Sequence, residues 1–207
     1  ALTNVDPSRM ALRQRAMAPL NQRFYERAAQ GEMRWCVALF PTQSSAQEAL
    51  MSLDEYAEFV MEACLLNTPN PVEAWREVHE RQQRYVEFLN GIDLVEIKAK
   101  DTDLRLRLKG RTWENCDGKV NFPDGEVFTA PIEDSVEGEI RFSFPGIYAG
   151  KEVEDIRLTF QQGKVVKATA AKGEELLHSL LETDAGARRV GEFAIGTNFG
   201  ITKFTRN

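Results

Sequence analysis

The chain has 207 residues and a net charge of −6, enough length for one large domain or two small ones. That acidic balance excludes the basic footprint of a nucleic-acid binder or a protein of anionic membrane surfaces. No apolar run approaches the ~20 residues needed to span a bilayer.

The opening residues A-L-T-N-V-D-P-S lack the pattern of a secretory signal, although a cleaved leader leaves no trace. Asp6 followed by Pro7 reads as a helix start, with Asp6 as N-cap and Pro7 in the first turn. Helical patterning then runs from residue 7 to residue 29 and carries Arg9, Arg13, Arg15, Arg23 and Arg27. In so acidic a chain these arginines read as a solvated face. Pro19 is expected to kink or split the helix, because it removes one ladder bond.

Gly31 ends this segment, and Arg34 to Phe40 is a near-continuous apolar run closed by Pro41. Such a run predicts a strand buried on both faces. A lone strand makes no sheet, so its partners come from the second half or lie outside the chain. Ser45 and Glu48 have capping-box spacing, and helical periodicity continues to about Leu66. After the break at Asn67-Thr68-Pro69, Asn70 with Pro71 and Glu73 begins another helix. On it Trp75, Val78, Tyr85, Val86 and Leu89 share a stripe.

Beyond Asn90-Gly91 the period becomes two. Val95, Ile97 and Ala99, then Leu104, Leu106 and Leu108, alternate with charged residues. Ile140, Phe142 and Phe144, then Ile156, Leu158 and Phe160, continue the pattern. A Gln162-Gly163 turn leads to Val165–Thr169, and a short helix covers Glu174 to Leu181. Every lysine lies at position 98 or later. The expected fold is α+β: residues 1–92 as the helical tail of an α/β domain, and residues 93–207 as a mostly antiparallel, β-rich domain.

The three cysteines, Cys36, Cys64 and Cys116, show no paired spacing and no C-x-x-C. Reduced thiols and a cytoplasmic setting are the expectation. The two histidines, His79 and His178, lie on separate helical segments outside any ligand-spaced cluster and read as surface or packing residues. The calcium-loop pattern D-x-D-x-D-G is absent.

Chemistry concentrates after Asn121. Pro123-Asp124-Gly125 predicts a tight turn, and Glu126 opens the apolar run that follows. Asp124, Glu126, Glu133, Asp134, Glu137 and Glu139 lie together, with no Lys or Arg between Lys119 and Arg141. Carboxylates without partners are solvated, protonated or bound to cations. Composition alone also describes a solvated acidic face, hence a non-catalytic binding or scaffold domain with no metal. A second glutamate, Glu192, is flanked by glycine and apolar residues, which predicts little access to bulk water. Arg188 or Arg189 is the available partner.

Two stretches then carry a resemblance. N-F-P-D-G-E-V-F-T-A-P-I-E-D-S-V-E-G at 121–138 and R-R-V-G-E-F-A-I-G-T-N at 188–198 closely resemble signatures of the thermophilic metallo-aminopeptidases, the aminopeptidase T / aminopeptidase S group. R-W-C-V-A-L-F-P-T at 34–42 and T-D-L-R-L at 102–106 look like further family segments, so the likeness runs along essentially the whole chain. The separation 192 − 126 = 66 also fits.

The resemblance implies a dinuclear site for zinc, cobalt or manganese, with Glu126 as one metal ligand and Glu192 as another. It implies release of N-terminal residues from peptides by metal-activated water, and homodimers that enclose the active site. Family members continue into a His, a Tyr and a His-x-Asp pair that complete the site, whereas this chain stops at Asn207. The chain is therefore expected to be an internal fragment, missing most of the N-terminal α/β domain and binding metal weakly or not at all. The general base is unassigned, Glu133 and Asp134 being nearby candidates. Neither nucleic acid nor membrane is an expected partner.

Overall fold

The computed structural model describes residues 7–148 and 150–206. Two compact units divide between Val37 and Ala38. The first is dominated by helix α1 (Pro7–Ala29), which continues through Pro19 without splitting. Its five arginines are exposed, as a solvated face requires. The expected N-cap, Asp6, lies outside the described residues. Arg27 pairs with Glu32 at 3.1 Å beyond the helix end, and Phe24 packs against Trp35 with ring centroids 5.7 Å apart.

The apolar run at Arg34–Phe40 does not form the expected buried strand. Only β1 (Val37–Ala38) is extended, and Val37 and Phe40 are 60% and 78% exposed. A doubly buried strand needs neighbours on both edges and layers on both faces. Instead, Leu39 N donates to Phe122 O at 2.7 Å, so the partner is β5 (Asn121–Phe122), a strand of two residues.

The single helix expected from Ser45 to Leu66 is two. Helix α2 (Gln43–Glu48) is capped by Thr42, whose hydroxyl accepts from Ser45 N at 3.2 Å. Helix α3 (Leu53–Ala63) carries the true capping box. Glu55 N donates to Ser52 Oγ at 3.2 Å and Ser52 N to Glu55 Oε2 at 2.8 Å. Thr42 and Ser52 each stand just before a helix, where the hydroxyl can accept from its first turn, and Ser45 is already inside one. Tyr56, Phe59 and Val60 of α3 form a small core with Ala46, Met51 and Cys64.

Helix α4 (Pro71–Leu89) starts as expected, with Asn70 Oδ1 accepting from Glu73 N at 3.2 Å. Val78 and Val86 are buried. Tyr85 is exposed, however, and the fully buried side chain on this face is Gln82.

The β-rich half contains two antiparallel sheets. The larger comprises β2 (Leu94–Ala99), β3 (Thr102–Arg107), β7 (Glu137–Arg141), β10 (Arg157–Gln161) and β11 (Lys164–Thr169), in the order β11-β10-β7-β3-β2. Leu104 and Leu106 face inward while Arg105 and Arg107 face out, the period-two pattern made physical. Gly138 sits where β7 meets β3 with φ +109°, and a Cβ there would lie 2.1 Å from Asp103 O, so only glycine fits. The smaller sheet comprises β4 (Glu114–Cys116), β6 (Glu126–Thr129) and β12 (Phe193–Gly196), with β6 in the middle. A hairpin of β8 (Gly146–Tyr148) and β9 (Lys151–Val153) completes the set.

The expected Phe142–Phe144 continuation of β7 is absent. The strand stops at Arg141, and both rings are exposed. Helix α5 (Glu174–Leu181) buries Leu177 and Leu181 in the main core with Leu106, Leu108, Trp113, Val127 and Phe160. The architecture is thus α+β with antiparallel sheets.

Candidate metal-binding site

The smaller sheet positions the site. Glu126 lies directly across from Cys116 on β4 and from Gly196 on β12. Side chains alternate along a strand, so Glu126 and Cys116 share one face, and Val127 and Asn115 share the other. Val127 is fully buried. The core therefore claims one side of β6, and the register leaves Glu126 for the opposite side. Ala194 and Gly196 have the same parity as Glu126, and two residues before Ala194 comes Glu192.

The turn before β6 is locked in place. Gly125 has φ +120°, and a Cβ there would sit 2.6 Å from Asn198 Cβ. Gly125 O accepts from Thr197 N at 2.8 Å, and Gly125 N donates to Cys116 O at 3.2 Å. The Asn198 side chain donates to Asp124 O at 2.8 Å and to Ala63 O at 2.9 Å, tying the turn to the end of α3. The Phe122–Pro123 peptide bond is cis.

Behind the sheet, Gln82 of α4 is a polar staple. Its amide nitrogen reaches Asn115 Oδ1 at 2.7 Å, Cys116 O at 2.9 Å and Glu126 O at 3.1 Å. Its amide oxygen accepts from Thr197 Oγ1 at 2.6 Å. One residue thus joins β4, β6 and the exit of β12. A buried amide is tolerated only when satisfied, and this one is. Beside it His79 Nδ1 lies 2.7 Å from Asp117 Oδ2, which also meets Lys119. His79 is thus tied to Asp117 at a part-exposed position of α4, and His178 is exposed on α5. Periodicity had offered Tyr85 for the inner stripe. A glutamine at the right phase of α4 was the one signal for the staple, and polarity hid it.

Around Glu126 the structure gathers negative charge. Ligand atoms of Cys116, Asp124 and Glu126 all lie within 4.8 Å of one another, each side chain half-buried. Burial raises the Glu126 carboxyl above the usual range, and the charges of Glu192 and Asp124 push it further. Burial also raises Asp124, against the backbone N–H groups of Gly125, Gly118 and Asn121. Burial pushes the Cys116 thiol up to about 12, with Asp124, Glu126, Glu192 and Glu114 adding to it. The charges acting on Glu126 are both negative, an arrangement that a divalent cation relieves. An open cleft of about 490 Å³ leads to Glu126 past Pro123, Asn198 and Ile201.

Of the two expected ligands, Glu126 sits in this cluster. Glu192 stands outside the 4.8 Å group but acts on it electrostatically. The expectation that Glu192 has little solvent access is wrong: the residue is exposed, just before β12. Flanking glycines report on backbone freedom and not on cover. Neither neighbouring arginine holds it. Arg188 donates to Val165 O at 3.2 Å and lies 3.8 Å from Glu182, and Arg189 donates to Glu133 O at 2.8 Å.

The other acidic residues disperse. Glu133 and Asp134 are exposed in a turn beyond the far end of β6, and Glu137 and Glu139 belong to β7 of the larger sheet. Neighbours in sequence are thus not one patch in space.

Comparison with known proteins follows the same line. The family model "Thermophilic metalloprotease (M29)" matches residues 1–207. The chain is 31% identical to aminopeptidase T of Thermus thermophilus, over 94% of its own length and 52% of that protein's. It is 30% identical to aminopeptidase 2 of Geobacillus stearothermophilus, covering 94% and 51%. The chain therefore spans about half the length of the curated relatives it matches. The solved structure of wild-type AmpT from Thermus thermophilus superposes with a TM-score of 0.62 at 36% identity, covering 70% of this chain and 38% of that one. A 2,5-dihydroxypyridine dioxygenase from Pseudomonas putida shares the fold alone, at 15% identity and TM-score 0.55 over 86% and 55%.

Proposed function

The chain belongs to the thermophilic metalloprotease family, and from that premise we propose that it is the part of a metal-dependent aminopeptidase that supplies two carboxylate ligands, Glu126 and Glu192. The observation that supports this most is electrostatic. Glu126 is fixed on the central strand of a rigid sheet, half-buried, with two negative neighbours acting on it, one of them Glu192. Placing like charges together is unfavourable in a bare protein and favourable around a cation.

The residues present fit hard or borderline divalent ions such as zinc, cobalt or manganese, and a pair of ions is the arrangement the family suggests. When bound, such ions acidify a water molecule and polarise a carbonyl, which is what hydrolysis of an N-terminal peptide bond requires. The chain's own contribution is positional. Gln82 and Asn198 hold the backbone of the 124–126 turn, and the open cleft gives a peptide access to Glu126. Glu133 and Asp134, in their turn beyond β6, are poorly placed as general bases for chemistry at Glu126. The proposal extends to a homodimer and a cytoplasmic setting for the whole protein. Among the described residues no helix is long and apolar enough to cross a membrane.

The alternative of an acidic scaffold surface needs its carboxylates on one face, and their division between two sheets and a turn counts against it. In the full-length protein, Glu126→Gln and Glu192→Gln are each expected to cut hydrolysis of aminoacyl amides by more than about 100-fold, beyond the loss that outer partners of a metal site cause. Each should also weaken metal binding. Full activity in both variants would refute the assignment.

A further inference from the structure

Cys64, buried, and Cys116, half-buried, live in unlike places. Cys64 closes α3 inside the apolar cluster of Tyr56, Phe59 and Val60, where a thiol is simply a small hydrophobic group. Cys116 instead lies across the ladder from Glu126, on the face turned away from the core, with Asp124 as the third member of the group. Opposed side chains of an antiparallel pair are among the closest that a sheet offers. The register is fixed by Gln82, which holds the carbonyls of both Cys116 and Glu126. Sulfur and carboxylate oxygens are thus presented together by paired backbone that Gln82 also bridges.

Resting on the reading of Glu126 as a metal ligand, we propose that Cys116 supplies a sulfur ligand to the ion held at Glu126 and biases the site toward thiophilic metals. The chemistry is that of ligand softness. Carboxylates alone suit magnesium and manganese, whereas a thiolate beside them favours zinc and cadmium. On coordination the sulfur binds as thiolate and its proton passes to solvent. Asp124 completes the local set, with its backbone N–H contacts keeping the carboxylate in the turn.

The test is cadmium titration of the full-length protein, in a Cys36→Ser background that removes the exposed thiol. The ultraviolet sulfur-to-cadmium charge-transfer band is read alongside calorimetric affinity. The expected result is saturable binding with the band present. Cys116→Ser should lose the band and about ten-fold or more in cadmium affinity while keeping its manganese affinity, which also shows that it remains folded. Cys116→Ala should behave in the same way. An unchanged band and affinity in Cys116→Ser, with binding lost in Glu126→Gln, would overturn the sulfur ligand and leave the Glu126 assignment standing. Wild-type binding in both Cys116→Ser and Glu126→Gln would overturn both.

Discussion

The two antiparallel sheets treat the same residue types in opposite ways. On and around the larger sheet several charges find an opposite. Arg105 meets Glu96 at 2.9 Å across β3 and β2, Arg157 meets Asp101 at 3.3 Å, and Asp155 lies between Arg141 and Arg157. Asp155 is accordingly held below the usual carboxylate range by Arg141. On the smaller sheet Asp124 and Glu126 are raised, with acidic neighbours in place of basic ones. Structural carboxylates are neutralised from within the chain. Among the described residues no basic side chain pairs with Asp124 or Glu126, and that contrast is what favours the proposed site.

The largest effect should come from the staple that makes the smaller sheet rigid. Gln82→Leu removes four hydrogen bonds and takes this partner from Thr197 Oγ1, Asn115 Oδ1 and Glu126 O, while Cys116 O keeps Gly125 N. A loss of about 3 kcal/mol is expected in chemical denaturation. An unaffected midpoint would mean that the sheet is held by its ladder alone. Gly125→Ala comes next, at about 2 kcal/mol, because φ is positive and the new methyl meets Asn198.

Glu126→Gln turns the comparison into a sign. A carboxyl whose folded pKa lies above its unfolded value destabilises the fold once ionised, and stability rises as pH falls through the raised value. Without metal at neutral pH the variant should therefore melt higher than the parent, by about 2 °C, with the gap closing once the pH drops below the ordinary glutamate range. Asp155 has the reverse sign. Its contribution is present above the ordinary aspartate range and disappears as pH falls through its lowered pKa, so Asp155→Asn should flatten the acid limb of the melting profile. The smallest change is expected from Arg105→Ala, within ~0.5 kcal/mol, since the Arg105–Glu96 pair is solvent-exposed.

The sequence carried the larger sheet well. The alternation through Leu104 and Leu106 and the Gln162-Gly163 turn gave β3, β10 and β11, because a sheet with one buried face must write its period into the chain. The N-cap of α4 was legible for a similar local reason. Long-range features were not. Arg34–Phe40 has the composition of an interior strand, but burial depends on neighbours that composition does not name. Gln82 reads as a surface residue until β4, β6 and Thr197 converge on it. Glu126 and Glu192 stood out by their flanking residues, and resemblance alone gave them the role of ligands. What the structure adds is the pairing of β6 with β12, which begins one residue after Glu192, and the charge that Glu192 exerts on Glu126.

The most direct test is a crystal structure of the full-length protein grown with manganese, with the ions located by anomalous scattering. Metal peaks about 2.0–2.2 Å from carboxylate oxygens of both Glu126 and Glu192 are the predicted result. Ions bound elsewhere, with those two side chains apart and touching none, would contradict it.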